Sequence, residues 1–248
     1  MRLLLTRPRP EAERTAAALR AIGHEPVFAP VLEIETIPDA SIGPGPFAAV
    51  LLTSGNAARA LAEHPDRDRL VALDCFAVGS QTAAAARLAG FANVYSAGGD
   101  GGDLARLIGK HRAGEGQARE RQAGGGDPLL YLAGDDRARD MAAELAPYGL
   151  RLEIVVIYRA VAATTFAPDV AAALKAGDVD GVLHYSRRST AIFIECVRAA
   201  GAEAAAAQLT HVCLSARASE PLAAINAKSI LVAQQMDESA MLALVSAS

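Results

Sequence analysis

The chain has 248 residues, 52% of them hydrophobic and 21% charged, so it is long enough to bury one or two cores and too apolar to stay disordered. Its 24 basic and 28 acidic residues leave a formal net charge of −4, the wrong sign for a protein whose whole surface grips nucleic acid. Alanine fills 56 positions and aromatic residues only 4%, which points to helices packed closely on small side chains.

The first apolar run, Leu3-Leu4-Leu5, is too short for a secretory signal, and no uncharged stretch approaches a membrane span. A soluble, cytoplasmic protein is expected. The run reads as a buried strand, and Ala12, Ala16, Leu19 and Ile22 fall on one face of a following helix that Gly23 stops. A proline-containing second strand comes next. Residues 49–52, AVLL, form a further strand that ends in Thr53-Ser54 and opens a helix. FAV at 76–78 does the same into Gly79-Ser80-Gln81-Thr82, and NVYSA at 93–97 leads to a helix from Gly102.

Residues 112–127, RAGEGQARERQAGGGD, are glycine-rich, charged and without apolar period, so a flexible loop is expected there. By composition alone it looks like an interdomain linker. Beyond it the pattern starts again. Residues 2–23 align without a gap on 128–149, with Ala138, Met141, Ala142, Leu145 and Tyr148 as the second helix face. Residues 49–61 resemble 181–193, 76–86 face 212–222, and 93–97 face 229–233. Strands alternating with helices, twice over, predict two similar parallel-sheet α/β domains.

In open parallel sheets ligands bind beyond the carboxyl ends of the strands, so the residues just after each apolar run are the candidates. They are Arg7, Thr53, Ser54, Ser80 and Thr82 in the first copy, and Arg137, Ser186, Arg187, Arg188, Ser215 and Arg217 in the second. The hydroxyls also suit helix N-caps, which need no ligand. An arginine near the positive end of a helix is misplaced unless an anion shares the site, so a ligand with several carboxylates or phosphates is indicated.

No dinucleotide fingerprint, phosphate loop or metal-binding motif is present. The cysteines Cys75, Cys196 and Cys213 read as buried thiols of a reducing compartment, and the five histidines are scattered, with His184 inside a strand pattern. Tyr158 ends the run EIVVIY at the join between the copies. A phenol there serves either as a proton donor or as a packing residue.

LLLTRPRPEAERTAAALRAIGHEPVFAPVLEI, LLTSGNA, FAVGSQTA and EIVVIYRA, taken in order, resemble the uroporphyrinogen-III synthase family along the whole chain. The resemblance implies an enzyme that closes linear hydroxymethylbilane to uroporphyrinogen III in haem biosynthesis, inverting the last pyrrole ring, with no cofactor and no metal. It implies two α/β domains with a cleft between them, joined by a two-strand linker. Residues 1–34 with 162–248 would form one domain and 38–155 the other. The chain would cross at 33–38 and 155–162, placing loop 112–127 inside one domain. Tyr158 is similar to the family tyrosine that assists loss of the substrate hydroxyl. Thr53, Ser54, Ser80, Thr82, Ser186 and Ser215 resemble residues that meet substrate carboxylates, and LSARAS departs from the family's late G-x-T turn, so Arg217 would substitute there. A monomer with a small-molecule substrate and no nucleic-acid or membrane partner is expected, with transient contact to the preceding pathway enzyme. The competing expectation is a non-catalytic hinge protein that binds a polyanion. A nucleotide-sugar transferase lacks a visible phosphate loop.

Overall fold

The computed structural model describes residues 1–116, 126–136 and 140–246. In chain order the strands are β1 (Arg2–Leu5), β2 (Glu25–Phe28), β3 (Leu32–Thr36), β4 (Ala49–Leu52), β5 (Cys75–Ala77), β6 (Val94–Ser96), β7 (Leu129–Gly134), β8 (Leu152–Ala162), β9 (Gly181–His184), β10 (Thr210–Cys213) and β11 (Ser229–Val232). The helices are α1 (Arg9–Ala21), α2 (Gly55–Ala62), α3 (Arg67–Leu70), α4 (Ser80–Ala89), α5 (Gly101–Gly116), α6 (Met141–Leu145), α7 (Pro168–Ala176), α8 (Arg187–Ala199), α9 (Glu203–Ala206), α10 (Ala216–Ser219) and α11 (Glu238–Ser246).

The chain divides into two compact units, residues 1–33 with 161–248 and residues 34–160. The first holds a five-stranded sheet in the order β11-β10-β9-β1-β2, with every neighbouring pair parallel. The second holds the order β3-β8-β7-β4-β5-β6, parallel from β8 to β6. The chain leaves the first unit within β3 and returns within β8. Ile37 N–H donates to Ile157 O at 2.8 Å and Ala163 N–H donates to Val31 O at 3.0 Å, spacing that fits an antiparallel ladder between these two segments.

The alignment within the sequence reappears in the sheets. Reading outward, β2-β1-β9-β10-β11 of one unit corresponds to β8-β7-β4-β5-β6 of the other. The pairing is exchanged, however. The opening strands of the first sequence copy join the closing strands of the second, and the second copy's opening strands join the first copy's closing strands. The described part of 112–127, residues 112–116 and 126–127, therefore belongs to the unit spanning 34–160, contrary to the composition. Residues 112–116, expected in a loop, continue α5, and 117–125 lie outside the described residues.

The central strands are apolar on both faces because helices cover both. In the first unit Leu4, Val182 and Cys213 meet α7, α8 and α9, while Leu3, Leu5, Leu183 and Val212 meet α1 and α11. Two expected core positions are outside it. Ile22 falls just past the end of α1 and is 42% exposed, because the chain is already turning into Gly23 at φ +84. Tyr148 is 43% exposed, because α6 ends at Leu145 and tightens into a 3₁₀ turn, which rotates Tyr148 off the Met141–Leu145 face. Ala142 is exposed as well, and Ala138 lies outside the described residues.

All three cysteines are buried and free. Burial pushes the Cys75 and Cys213 thiols up to about 12 and raises Cys196.

Two histidines distant in sequence meet in the core of the first unit. His184 on β9 and His211 on β10 are fully buried, their ring nitrogens 3.0 Å apart, with Phe193 edge-on to His184. His211 Nε2 must donate to the Ala206 carbonyl at 3.0 Å, which leaves its Nδ1 to accept from His184 Nε2. His184 Nδ1 is then a buried acceptor without a hydrogen-bond partner. Desolvation holds His184 well below its ordinary pKa, helped by the neighbouring His211, and desolvation also lowers His211. Both rings bind protons more weakly when folded than when unfolded. The resulting stability is complete above the unfolded value of 6.5 and is lost as pH falls below it. We expect the urea midpoint to fall from pH 7 to pH 5, with the unfolding free energy dropping by as much as about 1.4 kcal/mol per pH unit for His184. The slope should flatten in His184→Gln whatever that variant's absolute stability. A parent midpoint constant over this range would refute the assignment.

Candidate functional site

In the unit spanning 34–160, parallel pairing brings the carboxyl ends of β4, β5, β7 and β8 to one edge of the sheet. A pocket of about 330 Å³ opens there, lined by Thr53, Ser54, Val78, Asp100, Gly101, Tyr131, Gly134, Asp136, Met141 and Tyr158. Ser54 sits here because it caps α2, accepting from the Asn56 N–H at 3.1 Å. Asp100 does the same for α5, its Oδ1 accepting from the N–H groups of Gly102 at 2.9 Å and Asp103 at 3.1 Å.

Tyr158 is brought in by an irregularity of the β7–β8 ladder. The register shifts between Ala133 and Gly134, so Gly134 pairs with Tyr158, and Asp135 N–H donates to Tyr158 O at 3.1 Å. The phenol ring lies directly over Gly134. A Cβ at that position would stand 2.6 Å from Tyr158 Cζ, so any larger residue would displace the ring. Burial raises the Tyr158 pKa first of all. A hydrogen bond with the Ser54 side chain opposes this, and Tyr131, Asp135 and Asp136 add to it. The phenol therefore keeps its proton at neutral and moderately alkaline pH. Beside it, the Thr53 and Tyr131 hydroxyls are 2.7 Å apart.

The sequence reading identified Thr53, Ser54 and Tyr158, which the fold brings together. Tyr131, Gly134, Asp100 and Asp136 were missed. Tyr131 does carry a signal, as the one polar-tipped residue in the apolar run LLYLAG. Ser80 and Thr82 stand in the first turn of α4 and do not line this pocket; Ser80 is exposed and Thr82 buried.

In the first unit, Ser186 and Ser215 cap α8 and α10, accepting from the N–H groups of Ser189 at 3.1 Å and Ala218 at 3.3 Å. Arg188 and Arg217 are exposed, and Arg187 forms an exposed ion pair with Glu220 at 2.8 Å. Arg137 lies outside the described residues.

Arg7 finds its anion within the chain. Its Nη1 donates to Glu238 Oε1 at 3.0 Å, and its guanidinium lies 4.1 Å from the centre of the Tyr185 ring. The same carboxylate oxygen accepts from the Tyr185 hydroxyl at 3.2 Å and bonds the Thr15 hydroxyl. Burial pushes the Tyr185 phenol up to about 12, with Glu238 adding to the shift and Thr15 and Arg7 opposing it. In the internal alignment Tyr185 occupies the place of Thr53, so this cluster fills the position at which the other unit has its pocket. Among the described residues, no group of three or more His, Cys, Asp or Glu side chains comes together as a metal site. No described helix is long and apolar enough to cross a membrane.

A family model described as uroporphyrinogen-III synthase HemD matches residues 13–243. The chain belongs to the uroporphyrinogen-III synthase family. Members of this family are enzymes of tetrapyrrole biosynthesis that serve the haem pathway. Among solved structures, a uroporphyrinogen-III synthetase from Helicobacter pylori superposes with a TM-score of 0.65 at 17% identity, covering 99% of this chain and 98% of its own. That likeness bears on the fold. A mutant uroporphyrinogen III synthase from Thermus thermophilus gives a TM-score of 0.49 at 17% identity, covering 99% of this chain and 97% of its own. No curated protein matches by sequence.

The Arg7–Glu238 pair holds the start of α11 to the loop after β1. It is partly screened, with the two side chains 22% and 38% exposed, which limits its strength. We expect Glu238→Gln and Arg7→Ala each to cost about 1–2 kcal/mol in urea unfolding, with the double variant costing less than the sum. Strictly additive losses would show that the two side chains do not act together.

Proposed function

We propose that the chain is a lyase that closes hydroxymethylbilane to uroporphyrinogen III with loss of water, and that the reacting end of the substrate enters the Tyr158 pocket. The observation that carries this reading is Tyr158 itself. It matches the family's tyrosine in the run EIVVIYRA, and here it borders a pocket of about 330 Å³ beside the hydroxyls of Ser54, Thr53 and Tyr131. That volume suits one substituted pyrrole better than a whole tetrapyrrole chain.

The chemistry needs little from the protein beyond position. The pyrrole nitrogen pushes out the hydroxyl of the hydroxymethyl group, and the cationic ring is then attacked at a substituted carbon of the last pyrrole. Holding the two chain ends in the geometry for that attack is worth more than any single side chain. The Tyr158 phenol donates a hydrogen bond to the departing oxygen, a role that its raised pKa protects from ionisation. Exposed Arg187, Arg188 and Arg217, with the caps Ser186 and Ser215, follow β9 and β10 at the carboxyl edge of their sheet. They are our candidates for the substrate's carboxylates, together with Ser80 and Thr82. Arg7 contributes less, because Glu238 already engages it. We take the domains to divide at the crossings within β3 and β8.

The test is to incubate the protein with freshly generated hydroxymethylbilane, oxidise, and separate the porphyrin isomers. Type III is expected, and type I alone, the product of spontaneous closure, would overturn the reading. Tyr158→Phe should slow closure about 10-fold, at the low end of general-acid effects because the substrate ionises readily, while still giving type III. An unchanged rate in a folded variant would reduce Tyr158 to a packing residue.

A further inference from the structure

The Glu238 carboxylate sits in the first unit as a ligand sits in a site. Its Oε1 accepts from Arg7 Nη1 at 3.0 Å and from the Tyr185 hydroxyl at 3.2 Å, and bonds the Thr15 hydroxyl. These donors come from the loop after β1, from α1 and from the end of β9, and they converge on one oxygen at the carboxyl edge of the sheet, where open parallel sheets bind ligands. Resting on the reading above, we propose that Arg7, Thr15 and Tyr185 form a carboxylate-binding site, that Glu238 fills it while no substrate is bound, and that a carboxylate side chain of the bilane replaces Glu238 there.

The receiving side is built into the unit and its occupant is not. Thr15 is fully buried, and the Arg7 guanidinium lies 4.1 Å from the centre of the Tyr185 ring, which holds its plane. Glu238 is the more exposed partner of the ion pair and reaches in from the first residue of α11. That helix needs Glu238 neither to start nor to dock. Asp237 caps it, its Oδ1 accepting from the Ala240 N–H at 2.7 Å, and the buried side chains of Met241 and Val245 hold it to the sheet. The carboxylate can therefore swing out by side-chain rotation while α11 stays in place.

Arg7 bonds Glu238 through Nη1 alone. A carboxylate that is free to turn can take two parallel bonds from a guanidinium, which is the stronger arrangement. Tethering works in the opposite direction, because it gives Glu238 an effective concentration in the millimolar range that a lone small acid at micromolar level cannot match. A bilane held elsewhere by its other carboxylates presents a tethered group as well and competes on equal terms. Glu238 thus sets a threshold that admits polycarboxylates and turns away simple acids.

The site can be read without turnover. Propionate is titrated at constant ionic strength into the parent, Glu238→Ala and the double variant Arg7→Ala/Glu238→Ala, with binding followed by NMR line broadening of the ligand. Glu238→Ala should bind propionate about 10-fold more tightly than the parent, because the site is no longer filled, and the double variant should lose that gain. Neutral propionamide should not distinguish the three. Glu238→Gln keeps the shape of the side chain without its charge, should fall between parent and Glu238→Ala, and serves in its place if Glu238→Ala does not fold. Equal affinity for propionate in the parent and the Glu238 variant, or a gain that survives Arg7→Ala, would overturn the site. In turnover, Glu238→Gln should lower KM for hydroxymethylbilane about 3-fold with kcat within about 2-fold of the parent, and adding Arg7→Ala should remove the gain. A KM unchanged or raised in the folded Glu238→Gln variant would overturn the exchange with substrate. Formation of type I alone by the parent would overturn the reading of the reaction, whereas the propionate titration would still report on the site.

Discussion

Everything else in the first unit depends on one ladder, the parallel pairing of β1 with β9 through Leu3–Leu5 and Gly181–Leu183. It brings together residues almost 180 positions apart, and β1 then lies between β9 and β2 with both faces covered. Gly181 makes the close approach possible. A Cβ there would meet the Thr210 carbonyl oxygen at 2.6 Å and a Leu3 methyl at 3.0 Å, so β9 could not fit between its neighbours with a larger residue. A ladder of this span carries a heavy loop-closure cost before any contact repays it. The unit spanning 34–160 is continuous in the chain and does not bear that cost.

The pattern of strands and helices was legible in the sequence because the central strands are short apolar runs that end in polar turn residues. The aligned segments do occupy equivalent places in the two sheets. Which copy pairs with which was not legible from the residues, since both copies present interchangeable apolar strands and nothing local distinguishes β9 from β4 as the partner of β1. At the pocket, Thr53, Ser54 and Tyr158 were visible as polar residues after apolar runs. Gly134 was not, because the Tyr158 ring comes to lie over it through a register shift in the β7–β8 ladder that leaves no local signature. The meeting of His184 and His211 depends equally on the β9–β10 register, which pairs Val182 with His211 and His184 with Cys213.

The two units treat the same structural position in opposite ways. After β6 the chain enters α5 through Asp100 and Gly101, and the space beyond the strand ends stays open. After β11 it enters α11 through Glu238, whose carboxylate fills the corresponding space with a ring of donors from Arg7, Tyr185 and Thr15. A duplicated architecture has thus kept one edge hollow and plugged the other with its own side chain. Arg7, one of the arginines that looked misplaced in the sequence, is explained by an internal carboxylate.

The three buried thiols have a consequence of a different kind. With a pKa near 12, Cys75 and Cys213 expose only about one thiolate in 10⁵ at neutral pH, and both are shielded by their sheets. Towards alkylating reagents the folded chain behaves as though it had no cysteine. Each thiol becomes modifiable only when its own unit opens, Cys75 with residues 34–160 and Cys196 and Cys213 with the other. The protein thus contains a separate chemical clock for the opening of each half, readable by peptide mapping without any introduced label.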